Sequence, residues 1–255
     1  MRRLGAALAA LLGLAAPAAA EQLTIALSTS DIRIDSDFTG DAITIFGVVE
    51  RDAATVSRAA PYDIAVLVSG PTQAVVARRK EPLLFLWINR SSETFTAAPS
   101  YYALSSTRPL DEIATPPLLR RFGLGFANIP LQVSDAAEAR TDPEFRDAFI
   151  RLRKETGLYS EFAGGVDFIG TSDTVFRTAA WIPSNAPHGR YTVEVFLFSG
   201  SAFLAYQQAT INVTKVGFEQ FMFEASHNNA LLYGLACVLL ALFTGWLAGV
   251  VFRRD

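Results

Sequence analysis

Cysteine is nearly absent: the one residue, Cys237, lies in an apolar run near the C-terminus. The rest of the chain can form no disulfide, no thiolate nucleophile and no thiolate metal site. Histidine is almost as scarce. His188 sits in a turn-like stretch and His227 beside the apolar run, and neither has a His, Cys or Glu at ligand spacing. After Met1 the only methionine is Met222, which rules out a methionine-rich copper site. No Gly-x-Ser-x-Gly is present for a nucleophile elbow. Gly164-Gly165 and Gly123-x-Gly125 lack both the P-loop lysine and the dinucleotide pattern, so they read as turns. The residues therefore predict a chain without a cofactor and without a catalytic constellation.

Charge narrows the partners. Of 22 Lys+Arg and 25 Asp+Glu, four basic residues and one acidic residue belong to the terminal segments, leaving 18 against 24 in the body. An acidic body is a poor partner for nucleic acid. Paired carboxylates such as Asp111-Glu112, or Asp31 with Asp35, could do acid–base work, and a solvated loop or strand edge is the commoner meaning of such pairs. Arg78-Arg79-Lys80 is a local cationic patch that suits an anionic substrate or partner, or else a wet strand end.

What the chain has in quantity is apolar sequence at its two ends. Arg2-Arg3, the uncharged Leu4 to Leu14 and the small residues Ala18-Ala19-Ala20 make residues 1–20 an export signal, with Glu21 as the mature N-terminus. No Ser or Thr precedes the arginine pair, which favours the general secretory route over the twin-arginine route. Ala230 to Phe252 carries no formal charge. As a helix it is roughly 34 Å long, enough for a hydrocarbon core of about 30 Å. Arg253-Arg254-Asp255 follow as a tail, which the positive-inside rule keeps in the cytoplasm, and Tyr233 and Trp246 lie toward opposite interfaces. Gly245-x-x-x-Gly249 offers a helix-packing face.

Between these ends the pattern is β-rich. Leu23 to Leu27, Ala42 to Val49, Tyr62 to Val68, Gln73 to Ala77 and Leu83 to Asn89 read as strands, with Ser69-Gly70-Pro71 as a hairpin turn. Thr174 to Trp181, Tyr191 to Phe198 and Ala202 to Val213 follow, the last two joined by Ser199-Gly200-Ser201. Two helices interrupt them. The first starts at Thr115-Pro116-Pro117 and runs through Phe122. The second is capped by Asp142, begins at Pro143, ends at Gly157, and faces the core with Phe145, Phe149 and Leu152. The corner Ile182 to Tyr191 matches the approach to the penultimate strand of an immunoglobulin-like sandwich, with Tyr191 placed for a tyrosine corner. The predicted architecture is mainly β. It is an immunoglobulin-like sandwich over 21–215 with a helical insert at about 111–160, a juxtamembrane segment 216–229, a transmembrane helix 230–252 and a tail 253–255. Two small β domains joined near Ser105 to Asp111 are the alternative. Phe218, Phe221 and Ala225, at i, i+3 and i+7, suit an amphipathic helix at the outer interface; a first turn of one long helix, or an edge packed on the sandwich, fits the segment equally.

The ordered set Asp37-Phe38-Thr39-Gly40, Ile45-Phe46-Gly47, Gly70-Pro71, Trp87-Ile88-Asn89, Pro99-Ser100-Tyr101-Tyr102, Ile182-Pro183, Gly189-Arg190-Tyr191 and Tyr233-Gly234 to Gly245-Trp246 resembles a family of uncharacterised alphaproteobacterial transmembrane proteins. The resemblance implies a Gram-negative inner membrane and a periplasmic domain. It also implies an accessory role beside a permease similar to sulfite exporters, and it brings no site residues. The expected function is thus a periplasmic binding or accessory module anchored in the inner membrane, with the bilayer and a membrane protein as partners. A carboxylate-based periplasmic enzyme and an envelope structural protein are the alternatives; a pocket of converging Asp, Glu and Arg would favour the enzyme.

Overall fold

The computed structural model describes residues 21–35, 38–50, 61–83, 85–133, 142–217, 222, 226–227 and 229–251. The expected export signal, Asp37, the expected amphipathic segment with Phe218, Phe221 and Ala225, and the basic tail lie outside them.

Four strands make one sheet in the order β1-β3-β11-β10: β1 is Gln22–Leu27, β3 Gly40–Glu50, β10 Val166–Phe168 and β11 Val175–Pro183. Six make the second, β2-β13-β12-β4-β7-β9: β2 is Asp31–Ile34, β4 Tyr62–Ser69, β7 Tyr102–Ser106, β9 Tyr159–Ala163, β12 Gly189–Ser199 and β13 Ala202–Lys215. The first strand splits between the sheets, β1 antiparallel to β3 and β2 parallel to β13. With the second and fifth sandwich strands paired as β3 and β11, this is immunoglobulin-like order. Strands from both halves of the chain pair within each sheet, β3 with β11 and β4 with β12, so the residues around 105–111 lie within one sandwich.

Alternation explains β3: Ile43, Ile45 and Val49 point inward while Phe46 and Val48 stay exposed. Gly47 leaves room for the Phe176 ring directly opposite, where a Cβ would sit 2.1 Å from that ring. In β4 almost every residue is buried, because both faces are covered. Ile64, Val66 and Val68 oppose Leu197, Val195 and Val193 across β12. The other face carries the helical insert: α1 (Leu110–Ile113), α2 (Pro116–Phe122) and a 3-10 turn, Phe126–Asn128. There Phe122 lies 5.0 Å from the Phe196 ring, and Tyr102 Oη donates to the Gly123 carbonyl and accepts from the Gly125 N–H.

Local chemistry places the turns. Ser199 pairs with Ala202 around Gly200-Ser201, both at positive φ, the two-residue hairpin loop that matches strand twist. At the corner before β12, Tyr191 is fully buried and its Oη donates to the Pro187 carbonyl at 2.7 Å, as the sequence predicts.

Two expectations about the strands fail. Gly70-Pro71 makes no hairpin, since the Gly70 N–H donates to the Tyr101 carbonyl and the Ser100 N–H to the Pro71 carbonyl. The chain crosses straight on into β5 (Thr72–Leu83), which pairs with β6 (Leu86–Pro99) and, through β6, with the short β8 (Gln132–Val133). Leu83 to Asn89 is therefore not one strand: Leu83 pairs with Leu86 across the real turn. β4-β5 and β6-β7 form one long ribbon that runs out of the sandwich.

Candidate functional site

The helix α3 (Pro143–Glu155) braces this ribbon. Asp142 Oδ1 accepts from the Glu144 N–H at 3.0 Å, and Pro143, which has no N–H to lose, opens the first turn. At the other end Gly157 takes φ +72, its N–H bonded to the Lys154 carbonyl and that of Leu158 to the Arg153 carbonyl, so the last carbonyls are satisfied in a Schellman turn. Phe145 and Phe149 are buried as the periodicity predicts, but Leu152 is 56 % exposed and Ile150 takes its place inside. The reason is geometric. The helix lies in the angle between β5 and β9, so the buried arc turns toward Ile150, and Leu152 is left on the rim of an open groove. Phe149 sits 5.3 Å from Phe95 of β6 and edge-on to Tyr159 of β9 at 5.8 Å.

The groove between β5 and α3 holds about 660 Å³ and is lined by Arg78, Arg79, Lys80, Glu144, Asp147 and Arg151 over an apolar floor. The three basic residues sit in different surroundings. Arg79 donates to Glu81 at 3.0 Å, pairs with Glu144 on the helix, and lies 5.9 Å over the Phe145 ring. Hydrogen bonds to Glu81 and then Glu144 hold its guanidinium above its ordinary pKa. It is a clasp between strand and helix. Arg78 and Lys80 are exposed, and strand alternation with a register shift after Arg79 separates them from it.

Glu112 and Asp31, from the two acidic pairs, are tied into the structure. Glu112 takes Arg108 at 2.9 Å, and Arg108 grips Asp63 through two nitrogens at 2.6 and 2.9 Å. The bonds to Asp63 raise the Arg108 pKa. Asp63 is only 3 % exposed on a strand that otherwise reads as apolar, and a charge in such a run is the one sequence signal that could have exposed this network. Asp31 accepts from Ser30 Oγ at 2.7 Å and from Asn212, which keep its carboxyl below the usual range. His188 is exposed in the corner loop. Among the described residues, no group of three or more His, Cys, Asp or Glu could hold a metal ion.

The last helix, α4 (Ala230–Val251), is the one described helix long and apolar enough to cross a membrane, with mean hydropathy 2.1 over Ala230–Gly249. None of that span is buried against the sandwich. Gly245 and Gly249 face open space, where an added Cβ would meet nothing within 4 Å apart from its own helical backbone.

Among solved structures, the chain is similar to the N-terminal domain of the Streptococcus gordonii adhesin Sgo0707, with 8 % identity and a TM-score of 0.29 over 76 % of this chain and 32 % of that one. It is also similar to AggA, the major subunit of aggregative adherence fimbriae type I from Escherichia coli, with 11 % identity and a TM-score of 0.25 over 78 % and 96 % of the two chains. Both scores are too low to carry a functional argument. A comparison with curated proteins returns no match. The sequence matches a family profile over residues 22–254, nearly its whole length, and the chain belongs to that family, described as "Putative transmembrane protein (Alph_Pro_TM)".

Proposed function

We propose that this protein is a non-enzymatic accessory module of the inner membrane: a periplasmic sandwich, held by α4 with its C-terminus in the cytoplasm, that supports an integral membrane partner such as a permease. The observation that carries the reading is the free surface of α4. A helix of mean hydropathy 2.1 with none of its span buried against its own domain has its whole circumference available to lipid and to other membrane helices. On that surface Gly245 and Gly249 form a strip where a second backbone can approach closely, and close packing is what holds helices together in lipid.

The groove beside α3 supports the enzyme alternative, since Glu144, Asp147, Arg79 and Arg151 converge there. The pairing of Arg79 with both Glu81 and Glu144 suits a strand-to-helix clasp better than a proton-transfer site.

Crosslinking in native membranes, followed by purification of a tagged full-length chain, tests the proposal. Wild type should carry a membrane protein with it, and Gly245→Leu/Gly249→Leu should lose that protein while staying in the membrane, because Leu is at least as favourable as Gly in the bilayer core. Full retention of every complex by the double variant would remove α4 as the recognition element.

A further inference from the structure

The ribbon ends in an apolar tip. It leaves the sandwich where Ser69 pairs with Tyr102 and with Thr192 of β12. That is the end at which Gly189 pairs with Val213 and Lys215 with Ile34, so β13 hands the chain to residues 216–229 and α4 from the same place. Beyond this end β5 continues for 12 residues, a reach of roughly 40 Å. α3 stiffens it from the base, where Phe149 meets Phe95, to Arg79, where Glu144 is clasped.

At the tip no charge lies between Glu81 and Arg90, which enclose Pro82-Leu83-Leu84-Phe85-Leu86-Trp87-Ile88-Asn89. Phe85 is 98 % exposed, Trp87 70 % and Ile88 36 %. Trp87 and Ile88 are neighbours in a strand and so point to opposite faces, which makes the tip apolar all round. A protein groove would cover one face and leave the other wet, whereas a bilayer covers both. Just behind the tip, Arg78, Lys80 and Arg90 are exposed, on a body that is otherwise acidic. Aromatic rings at the interface with cations reaching headgroups form the pattern of a membrane-contacting element.

We propose that the β5–β6 tip dips into the outer interface of the bilayer and gives the periplasmic domain a second membrane contact, with Phe85 and Trp87 immersed and Arg78, Lys80 and Arg90 among anionic headgroups. Immersion stops at the interface, because the edges of a two-stranded ribbon carry backbone groups that hydrocarbon cannot satisfy. The tip then fixes how the sandwich stands over whatever α4 recruits. This rests on the reading that α4 anchors the domain.

The test uses the full chain with Cys237→Ala, reconstituted in phosphatidylglycerol/phosphatidylethanolamine vesicles. One environment-sensitive fluorophore is placed at Phe85→Cys or, as a control, at Thr171→Cys, in the exposed loop before β11 at the far end of the sandwich. Resistance to alkaline extraction reports α4 alone, so failure of the anchor and failure of the tip are distinguishable. The expected result is blue-shifted emission at position 85, quenched by lipids spin-labelled near the headgroup and shielded from iodide, with neither effect at 171. Arg78→Gln/Lys80→Gln/Arg90→Gln should weaken the quenching at 85 in these vesicles and not in zwitterionic ones. The proposal is overturned if, in extraction-resistant protein, iodide reaches position 85 as freely as 171, or if 85 becomes shielded only in native membranes that contain a protein partner.

Discussion

Tyr191 and Pro187 close the corner that leads into β12: the buried phenol donates to the Pro187 carbonyl across 2.7 Å. The bond fixes the loop at the end of the sandwich from which both the ribbon and the membrane helix depart. Tyr191→Phe keeps the ring against Tyr101 and removes only the donor. Unfolding of the full chain in mild detergent should show a loss of about 1–2 kcal/mol. An unchanged midpoint would mean that the bond does not constrain the corner.

Tyr101, Tyr102 and Tyr159 are each held above the ordinary phenol range, chiefly by burial. Because their folded pKa values exceed the unfolded value of about 10, their contribution is complete below that pH and is lost as pH rises toward the folded values. Stability should therefore fall above about pH 10, by about 1.4 kcal/mol per pH unit for each tyrosine. Denaturant midpoints between pH 8 and 11.5 would show this, and a flat profile would mean that the phenols titrate freely in the folded protein.

In the brace, Phe149→Ala removes a ring that is 4 % exposed and should cost about 3–5 kcal/mol. Leu152→Ala, on the exposed rim, should cost under about 1 kcal/mol. Equal losses at the two sites would place the buried face where the sequence periodicity puts it rather than toward Ile150.

The sandwich strands were legible because their alternation and turn chemistry are local: β3, β12 and β13, the Gly200-Ser201 loop and the Tyr191 corner all follow from neighbouring residues. The ribbon was not. Gly70-Pro71 carries a turn signature, and only bonds from Tyr101 and Ser100, thirty residues on, convert it into a crossing. The true turn falls between Leu83 and Leu86, where neither intervening residue is Gly or Asn, so Leu83 to Asn89 looks like uninterrupted strand. Likewise Arg78, Arg79 and Lys80 look equivalent in sequence, and only the position of Glu144 singles out Arg79. The Asp63–Arg108 pair spans 45 residues and leaves no mark beyond one charge in an apolar strand.

Protease accessibility tests the orientation most directly. Spheroplasts carrying the full chain with a C-terminal tag would be treated with protease, and the tag followed by blot. The expected result is loss of the sandwich with a short tagged fragment, α4 and its tail, protected until the membrane is permeabilised. Digestion of the tag in intact spheroplasts, or survival of the sandwich until permeabilisation, would place the domain on the cytoplasmic side and contradict the account.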